Sequence, residues 1–167
     1  MAMADRICLM NDGGVEQIGS PDMLYFQPQT LFAATFLGDS NILPVRVLGA
    51  EGDRVVLEGP GGSRLSAPML ADWRVQPGER ASLMVRPERM ALGHTDDARN
   101  NRLEARIADV VMVGGITRHY AALEDGTRLS ATKLTMGPRG AAVHGEIVSF
   151  YWAVDCGVLL PDRGAKT

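Results

Sequence analysis

From residue 41 onward, apolar and polar residues alternate with a period of two, the spacing of β-strands that bury one face. Gly, Asp and Pro separate these short stretches at intervals typical of a β-barrel or β-sandwich. The pattern predicts strands near residues 44–48, 54–58, 63–67, 80–86, 89–92, 103–113, 117–123, 128–132, 146–153 and 158–160. We therefore expect a mainly β fold.

The chain before residue 41 has a different pattern. The apolar run 6–10 is followed by Asn11-Asp12-Gly13-Gly14, which favours a tight hairpin turn because Asn, Asp and Gly tolerate positive φ. Residues 15–18 alternate and predict the return strand. Ser20-Pro21-Asp22 is typical of a helix start, with Ser20 as the N-cap. A second helix is expected from about 29 to 37.

Two stretches of the β region resemble each other. Arg64-Leu65-Ser66-Ala67 recurs as Arg128-Leu129-Ser130-Ala131, and a Gly-Glu turn leads into a later strand in both. A repeat of about 65 residues is the size of one small barrel. We expect two such units, at about 41–93 and 101–162.

Composition narrows the function classes. The 167 residues are 46% hydrophobic and 22% charged, which is typical of a globular protein. The formal net charge is −3 and aromatic residues make up only 5%, so neither a phosphate-neutralising face nor a base-stacking platform is expected. We predict that nucleic acid is not a partner.

No apolar run reaches the length of a membrane span, and Asp5 and Arg6 argue against a secretory signal, so a cytoplasmic location is expected.

Catalytic motifs are missing from the sequence. There is no Gly-x-x-x-x-Gly-Lys-Ser/Thr loop to cradle a phosphate, and no serine or cysteine nucleophile motif. His94 lies beside Asp96 and Asp97 in a polar link, where a metal site is not expected because ligands need rigid support. Cys8 and Cys156 form no metal or redox spacing and are expected to be small buried residues. We expect no enzyme activity, cofactor or metal.

Arg86-Pro87-Glu88-Arg89 is the motif with two open interpretations. Pro87 offers no N–H and would end a strand ladder, so a structural turn in which the flanking charges pair is one possibility. The other is that Arg86 and Glu88 contact a ligand or an interface. The residue types alone do not choose between the two.

Several of these motifs together resemble one known family. Ala4-Asp5-Arg6-Ile7, the hairpin ending in Glu16-Gln17-Ile18-Gly19, and Ser20-Pro21-Asp22-Met23-Leu24-Tyr25 are similar to the end of an ABC-transporter ATPase domain. The stretch from Phe32 to Asn41 resembles the joint that leads into that subunit's C-terminal regulatory domain. Arg86-Pro87-Glu88 matches a signature of that domain, the transport-associated OB-fold (TOBE) type.

The resemblance implies a domain organisation and a role. Residues 1–40 would be the end of the ATPase domain, and 41–167 a TOBE domain of two OB-like units. The family's catalytic motifs lie upstream of the Ala4-Asp5-Arg6 segment and have no position here. The implied role is regulatory and dimerising, in an importer of polyamine or ferric-iron type, with a second copy and the membrane permease subunits as partners.

The resemblance also suggests contact residues. Beside Arg86 and Glu88, the stretch from Gly114 to Gly126 resembles the family's second half and adds Arg118 and Asp125 as candidates for ligand or interface contacts. A small-molecule effector is a further possible partner. The alternative class is an oxyanion binder, since related OB-like units bind oxyanions and the chain has fifteen arginines.

One consequence concerns the surface of the first segment. Residues 4–38 would normally lie against the ATPase sheet, so some of their apolar side chains should be exposed or buried by self-association. The residues expected to show this are Ile7, Leu9, Leu24, Phe32 and Phe36.

Overall fold

The computed structural model describes residues 4–69, 75–135 and 143–162. The predicted mainly β fold, with a hairpin and two helices before two OB-like units, is confirmed. The strands are β1 Ile7–Asn11, β2 Gly14–Gly19, β3 Asn41–Glu51, β4 Arg54–Glu58, β5 Arg64–Pro68, β6 Arg80–Val85, β7 Ala91–Leu92, β8 Asn100–Val113, β9 Ile116–Ala122, β10 Arg128–Leu134, β11 Ile147–Ala153 and β12 Gly157–Pro161. The α-helices are α1 Pro21–Phe26 and α2 Leu31–Phe36.

Residues 4–40, called the N-terminal segment below, form a small layer of their own. Strands β1 and β2 pair as the predicted hairpin, and Asp12 has the positive φ that such a turn requires. Both helices begin at a side-chain cap, in which the Ser20 hydroxyl accepts from Met23 N and the Thr30 hydroxyl from Ala33 N. The buried Gln17 amide bridges the helices, accepting from Gln29 N at 3.0 Å.

The apolar side chains of the N-terminal segment are mostly covered within the segment. Leu9, Leu24 and Ala33 are buried against one another, and Ile7 and Phe32 pack around them. The expectation of exposure is therefore wrong for Leu9 and Leu24, because the hairpin and helices close a small core without an outside partner. It is correct for Phe36, which is 64% exposed.

Cys8 is exposed and Cys156 is only partly buried, so the expectation that both are core residues is wrong. Along β1 the side chains alternate between the two faces of the strand, and Leu9 occupies the inward position. Cys8 and Met10 therefore face away from the small core.

The remaining strands form two five-stranded antiparallel sheets of equivalent order. The first β unit has the order β12-β6-β3-β4-β5, and the second has β7-β11-β8-β9-β10. Each sheet thus takes its outermost strand from the other repeat, since β7 follows β6 in the chain but pairs with β11, and β12 follows β11 but pairs with β6. The two units are interlocked by this reciprocal exchange.

The inner faces of both sheets share one continuous apolar core. Its fully buried members come from the two units alike, and the large ones include Leu43, Leu57, Leu83, Phe150 and Trp152. A single core of this kind makes the two units one folding domain. In the described part of the chain, no helix has the length and apolar character that crossing a membrane requires.

Two asparagines join the units by hydrogen bonds. At the start of β3, the Asn41 amide accepts from Ser130 N at 2.7 Å and donates to Ser130 O at 2.9 Å. At the start of β8, Asn101 makes the same pair of bonds to Ser66, at 2.7 and 2.8 Å. Each asparagine therefore extends the edge strand of the opposite unit as a backbone residue would.

Candidate functional site at the joint of the N-terminal segment

Arg86 stands where strand β6 ends. Pro87 cannot continue the ladder, and the chain forms a short 3₁₀ turn over Pro87–Arg89. Arg86 itself keeps an extended backbone, with φ −70° and ψ 140°, and its side chain turns toward the N-terminal segment. Only 2% of the residue is exposed.

The Arg86 guanidinium binds the C-terminal ends of both helices. Its Nε and Nη2 donate to the Tyr25 carbonyl at 3.3 and 3.0 Å, near the end of α1. Its Nη1 lies within 3.2 Å of the carbonyls of Ala34, Gly38 and Asp39, which belong to α2 and the residues that follow it. Nη1 also donates to the Ser40 hydroxyl at 2.6 Å. The planar fork of an arginine suits several acceptors at once.

The joint around Arg86 is also partly aromatic. The guanidinium carbon lies 4.1 Å from the centre of the Tyr25 ring, a cation–π distance. Burial lowers the pKa of Arg86, since desolvation disfavours its charged form. The nearby Tyr25, Glu88 and Asp39 act in the opposite direction and favour the cation.

Glu88 reaches the same joint by another contact. Its carboxylate accepts from the Tyr25 hydroxyl at 2.6 Å. Burial raises the pKa of Tyr25, and the hydrogen bond to Glu88 adds to this rise because the carboxylate stabilises the protonated phenol. Arg86 and Glu88 therefore hold Tyr25 from two sides. The interpretation in which the charges flanking Pro87 pair with each other does not describe these contacts.

The second β unit contributes Arg118 of β9. Its Nη1 donates to the Asp39 carboxylate at 2.8 Å. A hydrogen bond to Tyr120, together with the charge of Asp39, raises the pKa of Arg118. The pair is solvent-exposed, so its contribution to stability is small and sensitive to salt.

Asp125, the fourth candidate, does not take part in the described contacts of the joint. It lies in the turn between β9 and β10, where its carboxylate accepts from Thr127 N at 2.9 Å. Such a contact shapes an Asx turn. The structure therefore brings Arg86, Glu88 and Arg118 to the N-terminal segment and leaves Asp125 in a different loop.

The N-terminal segment packs on the first β unit, whose outer face differs from that of the second unit at equivalent register positions. Ile42 and Met84 are paired across β3 and β6, and Met84 is buried with Ala34 of α2 and Leu160 of β12. At the matching register in the second unit, Arg102 is paired with Tyr151. The outer face of the first unit is thus apolar where that of the second is polar.

The two units also differ at the position of Arg86. In the second unit, the residue that precedes the equivalent 3₁₀ turn, Val154–Cys156, is Ala153. Arg86 therefore has no counterpart in the other copy.

The sequence analysis identified Arg86 from its motif but missed Tyr25, whose ring, hydroxyl and carbonyl all make contacts at the joint. The signal for it was present, because Tyr25 lies in the segment that resembles the end of an ATPase domain.

The other polar cluster noted in the sequence is a surface feature. His94 Nε2 lies 2.7 Å from the Asp96 carboxylate, and both side chains are exposed in the link between the units. Asp97 is held by Arg99, whose hydrogen bonds lower the pKa of Asp97 to about 2. Among the described residues, no three His, Cys, Asp or Glu side chains are grouped closely enough to hold a metal ion.

Comparison with known families identifies the β region. Residues 83–160 match the family model described as the TOBE domain. The match covers the Arg86 turn, the strands from β7 to β11 and all of β12 but its last residue. The chain therefore carries a TOBE domain.

The chain is also homologous, along nearly its whole length, to the C-terminal part of ABC importer ATP-binding subunits. It is 38% identical over 165 residues to the spermidine/putrescine import ATP-binding protein PotA of Rubrobacter xylanophilus, covering 98% of this chain and 43% of that protein. Identity to PotA of a Pseudomonas aeruginosa strain is 32% over 164 residues, covering 96% and 45%. The chain thus spans less than half the length of these relatives.

A solved structure shows the same fold. The cytoplasmic molybdate-binding protein ModG matches with a TM-score of 0.62, covering 71% of this chain and 94% of that one. Sequence identity is 16%, so the likeness concerns the fold alone.

Proposed function

We propose that this chain is a non-catalytic regulatory and dimerisation module of an ABC importer's ATP-binding subunit. In that subunit it would couple or regulate ATP-driven uptake of a solute, such as a polyamine or ferric iron. The observation that supports this is the Arg86 guanidinium. It belongs to the TOBE domain and is bonded to both helices of the segment that resembles the end of an ATPase domain.

The geometry explains how coupling would work. Five acceptors around one buried cation fix the angle at which the N-terminal segment leaves the first β unit. A change in the angle of the segment must then move the β units, or break several charge-assisted bonds at once. A partner that binds one arrangement more tightly would bias the equilibrium between the two.

The proposed partners follow from this role. A second copy would pair through the TOBE domain, and the permease subunits would bring the protein to the cytoplasmic face of the membrane. A small-molecule effector could act through the same joint. Nucleic acid is not proposed, because the net charge of −3 gives no basic footprint.

An uptake experiment tests the coupling. The matching C-terminal part of the Rubrobacter xylanophilus relative would be replaced by this chain, and ATP hydrolysis and spermidine uptake would be measured together in vesicles with its permease. We expect Arg86→Lys to lower uptake per ATP hydrolysed, since one ammonium cannot reach all five acceptors. Arg128→Lys, on an exposed strand position, is the matched control. Equal coupling in both variants would contradict the proposal.

Dimerisation is tested on the chain itself. Sedimentation velocity across a wide concentration range should show a concentration-dependent dimer. A monomer at high micromolar concentration would remove the dimerisation part and leave the coupling part to the uptake experiment.

Oxyanion binding is the second candidate, favoured by the ModG-like fold and by a groove of about 570 Å³ that residues of both units line. Arg102 and Arg106 line it, but so do Glu104, Glu124 and Asp125. With three carboxylates against two guanidiniums, the lining gives an anion no net attraction. Calorimetry with molybdate decides the matter, since measurable heat would favour this candidate.

A further inference from the structure

A groove of about 740 Å³ runs between the N-terminal segment and the free edge of the first β unit. The loop from α1 to α2 forms one wall, and strand β12 with the end of β5 forms the other. Pockets of this volume, lying between two packed parts of a protein, are typical of small-molecule sites.

The walls of the groove are largely apolar and adaptable. Met23, Phe26 and Met69 line it and are each more than 40% exposed. Methionine side chains adjust to ligands of different shape because they are unbranched and polarisable. A chain or ring of apolar atoms would remove these three side chains from water.

The residues that line the groove carry more positive than negative charge. Arg89 places its guanidinium 5.1 Å from the centre of the Phe26 ring and 4.0 Å from Cys156 Sγ. No carboxylate of the described residues lies within ion-pair distance of this guanidinium. Arg86 lines the groove as well, and Asp155 supplies the one carboxylate among the lining residues. The lining therefore has a net positive charge beside an apolar wall.

We propose that this groove binds a small amphipathic anion, with its apolar part on Met23, Phe26 and Met69 and its carboxylate on Arg89. Such a ligand touches the N-terminal segment and the TOBE domain at once. The ligand would act as an effector because it stabilises one angle between the N-terminal segment and the TOBE domain. Only this effector role rests on the proposed function.

Cys156 is a built-in reporter for the test, since it lines the groove and is half-buried. In a Cys8→Ser background, the rate of Cys156 alkylation by iodoacetamide would be followed by intact mass. Octanoate should slow the reaction in a saturable manner, whereas octylamine, of equal chain length and opposite charge, should not. Arg89→Gln should raise the half-protecting octanoate concentration by about tenfold, the effect of losing one charge-assisted bond.

Two further variants complete the design. Asp155→Asn should lower the half-protecting octanoate concentration, because it removes the repelling charge. Arg128→Gln, an exposed arginine outside the groove, should leave that concentration unchanged. Equal protection by octylamine and octanoate, a half-protecting octanoate concentration that Arg89→Gln leaves unchanged, or no protection by octanoate would each overturn the site. Because the isolated chain is used, these failures are distinguishable from a failure of the uptake experiment.

Discussion

Asn101 of the second β unit and Ser66 of the first exchange two hydrogen bonds, in which the side-chain amide of Asn101 stands in for a strand backbone. Asn101 is 4% exposed, so water does not compete for these bonds. The contact between Asn41 and Ser130 repeats the arrangement with the units reversed. The two pairs are equivalent contacts that join the two units of a pseudo-symmetric domain.

Removing either asparagine should be costly. Asn101→Ala leaves the N–H and C=O of the half-buried Ser66 without these partners. An unsatisfied group that is shielded from water costs about 1–3 kcal/mol. We expect the free energy of unfolding to fall by about 2–4 kcal/mol in urea titrations. Asn41→Ala should lower the free energy of unfolding by a similar amount. Asn100→Ala, which removes only a bond to Thr95, is the control, and an equal loss there would contradict the argument.

Arg86→Lys should loosen the joint without unfolding the β units. A lysine retains the charge but cannot reach the carbonyls of Tyr25, Ala34 and Gly38 together. Hydrogen exchange should therefore accelerate at the amides of α1 and α2, while the strands of the second unit keep their protection. Uniform acceleration over the whole chain would mean that Arg86 only supports global stability.

Tyr25 should titrate above the ordinary tyrosine range. Its pKa is raised by burial and by the bond to Glu88, and the difference in absorbance near 295 nm between the wild type and Tyr25→Phe isolates its titration. Glu88→Gln should move the pKa back toward its usual value, because an amide does not repel the phenolate. No change on this substitution would show that the Tyr25–Glu88 contact is absent in solution.

His119 should make the protein less stable at low pH. Its ring is fully buried on β9, and neither ring nitrogen has a described hydrogen-bond partner. Burial, and to a lesser degree the charge of Lys133, lowers its pKa. Below about pH 6.5 the unfolded chain gains a proton that the folded chain does not, so the free energy of unfolding falls as pH decreases.

The repeat supplies the matched substitution for His119. Val55 occupies the same register position in the first unit, opposite Ala67 as His119 is opposite Ala131. His119→Val should therefore raise the free energy of unfolding by about 1 kcal/mol at pH 8. The gain should be larger at pH 5.5, as measured by urea titration. His144→Ala lies in an exposed turn and should leave the free energy of unfolding unchanged at both pH values. A wild-type free energy of unfolding that does not fall between pH 8 and pH 5.5 would contradict the argument.

Most of the fold could be predicted because local patterns determine it. The turn at Asn11-Asp12-Gly13-Gly14, the Ser20 cap and the alternating strands each depend on nearby residues, and the observed bounds lie within a few residues of the predicted ones. The exchange of β7 and β12 could not be predicted. Either strand could pair in its own repeat with the same local pattern, and only the folded core chooses between the two.

The site shows the same limit. The motif around Pro87 indicated Arg86, but nothing local to it shows that the guanidinium would be buried against helices more than 45 residues earlier in the chain. Asn41 and Asn101 were detectable in principle. Each lies at the start of the first strand of its repeat, two residues before a leucine, and a polar residue recurring at that position would have been the signal.

The strand exchange has a consequence for biosynthesis. The first unit lacks its outermost strand until residues 157–161 have been translated, so a ribosome-bound chain exposes an unpaired β6 edge throughout the synthesis of the second unit. During that interval the nascent chain is open to pairing with a neighbouring copy. The first half therefore cannot complete its sheet before the end of synthesis, which favours protection of the nascent chain by chaperones during that interval.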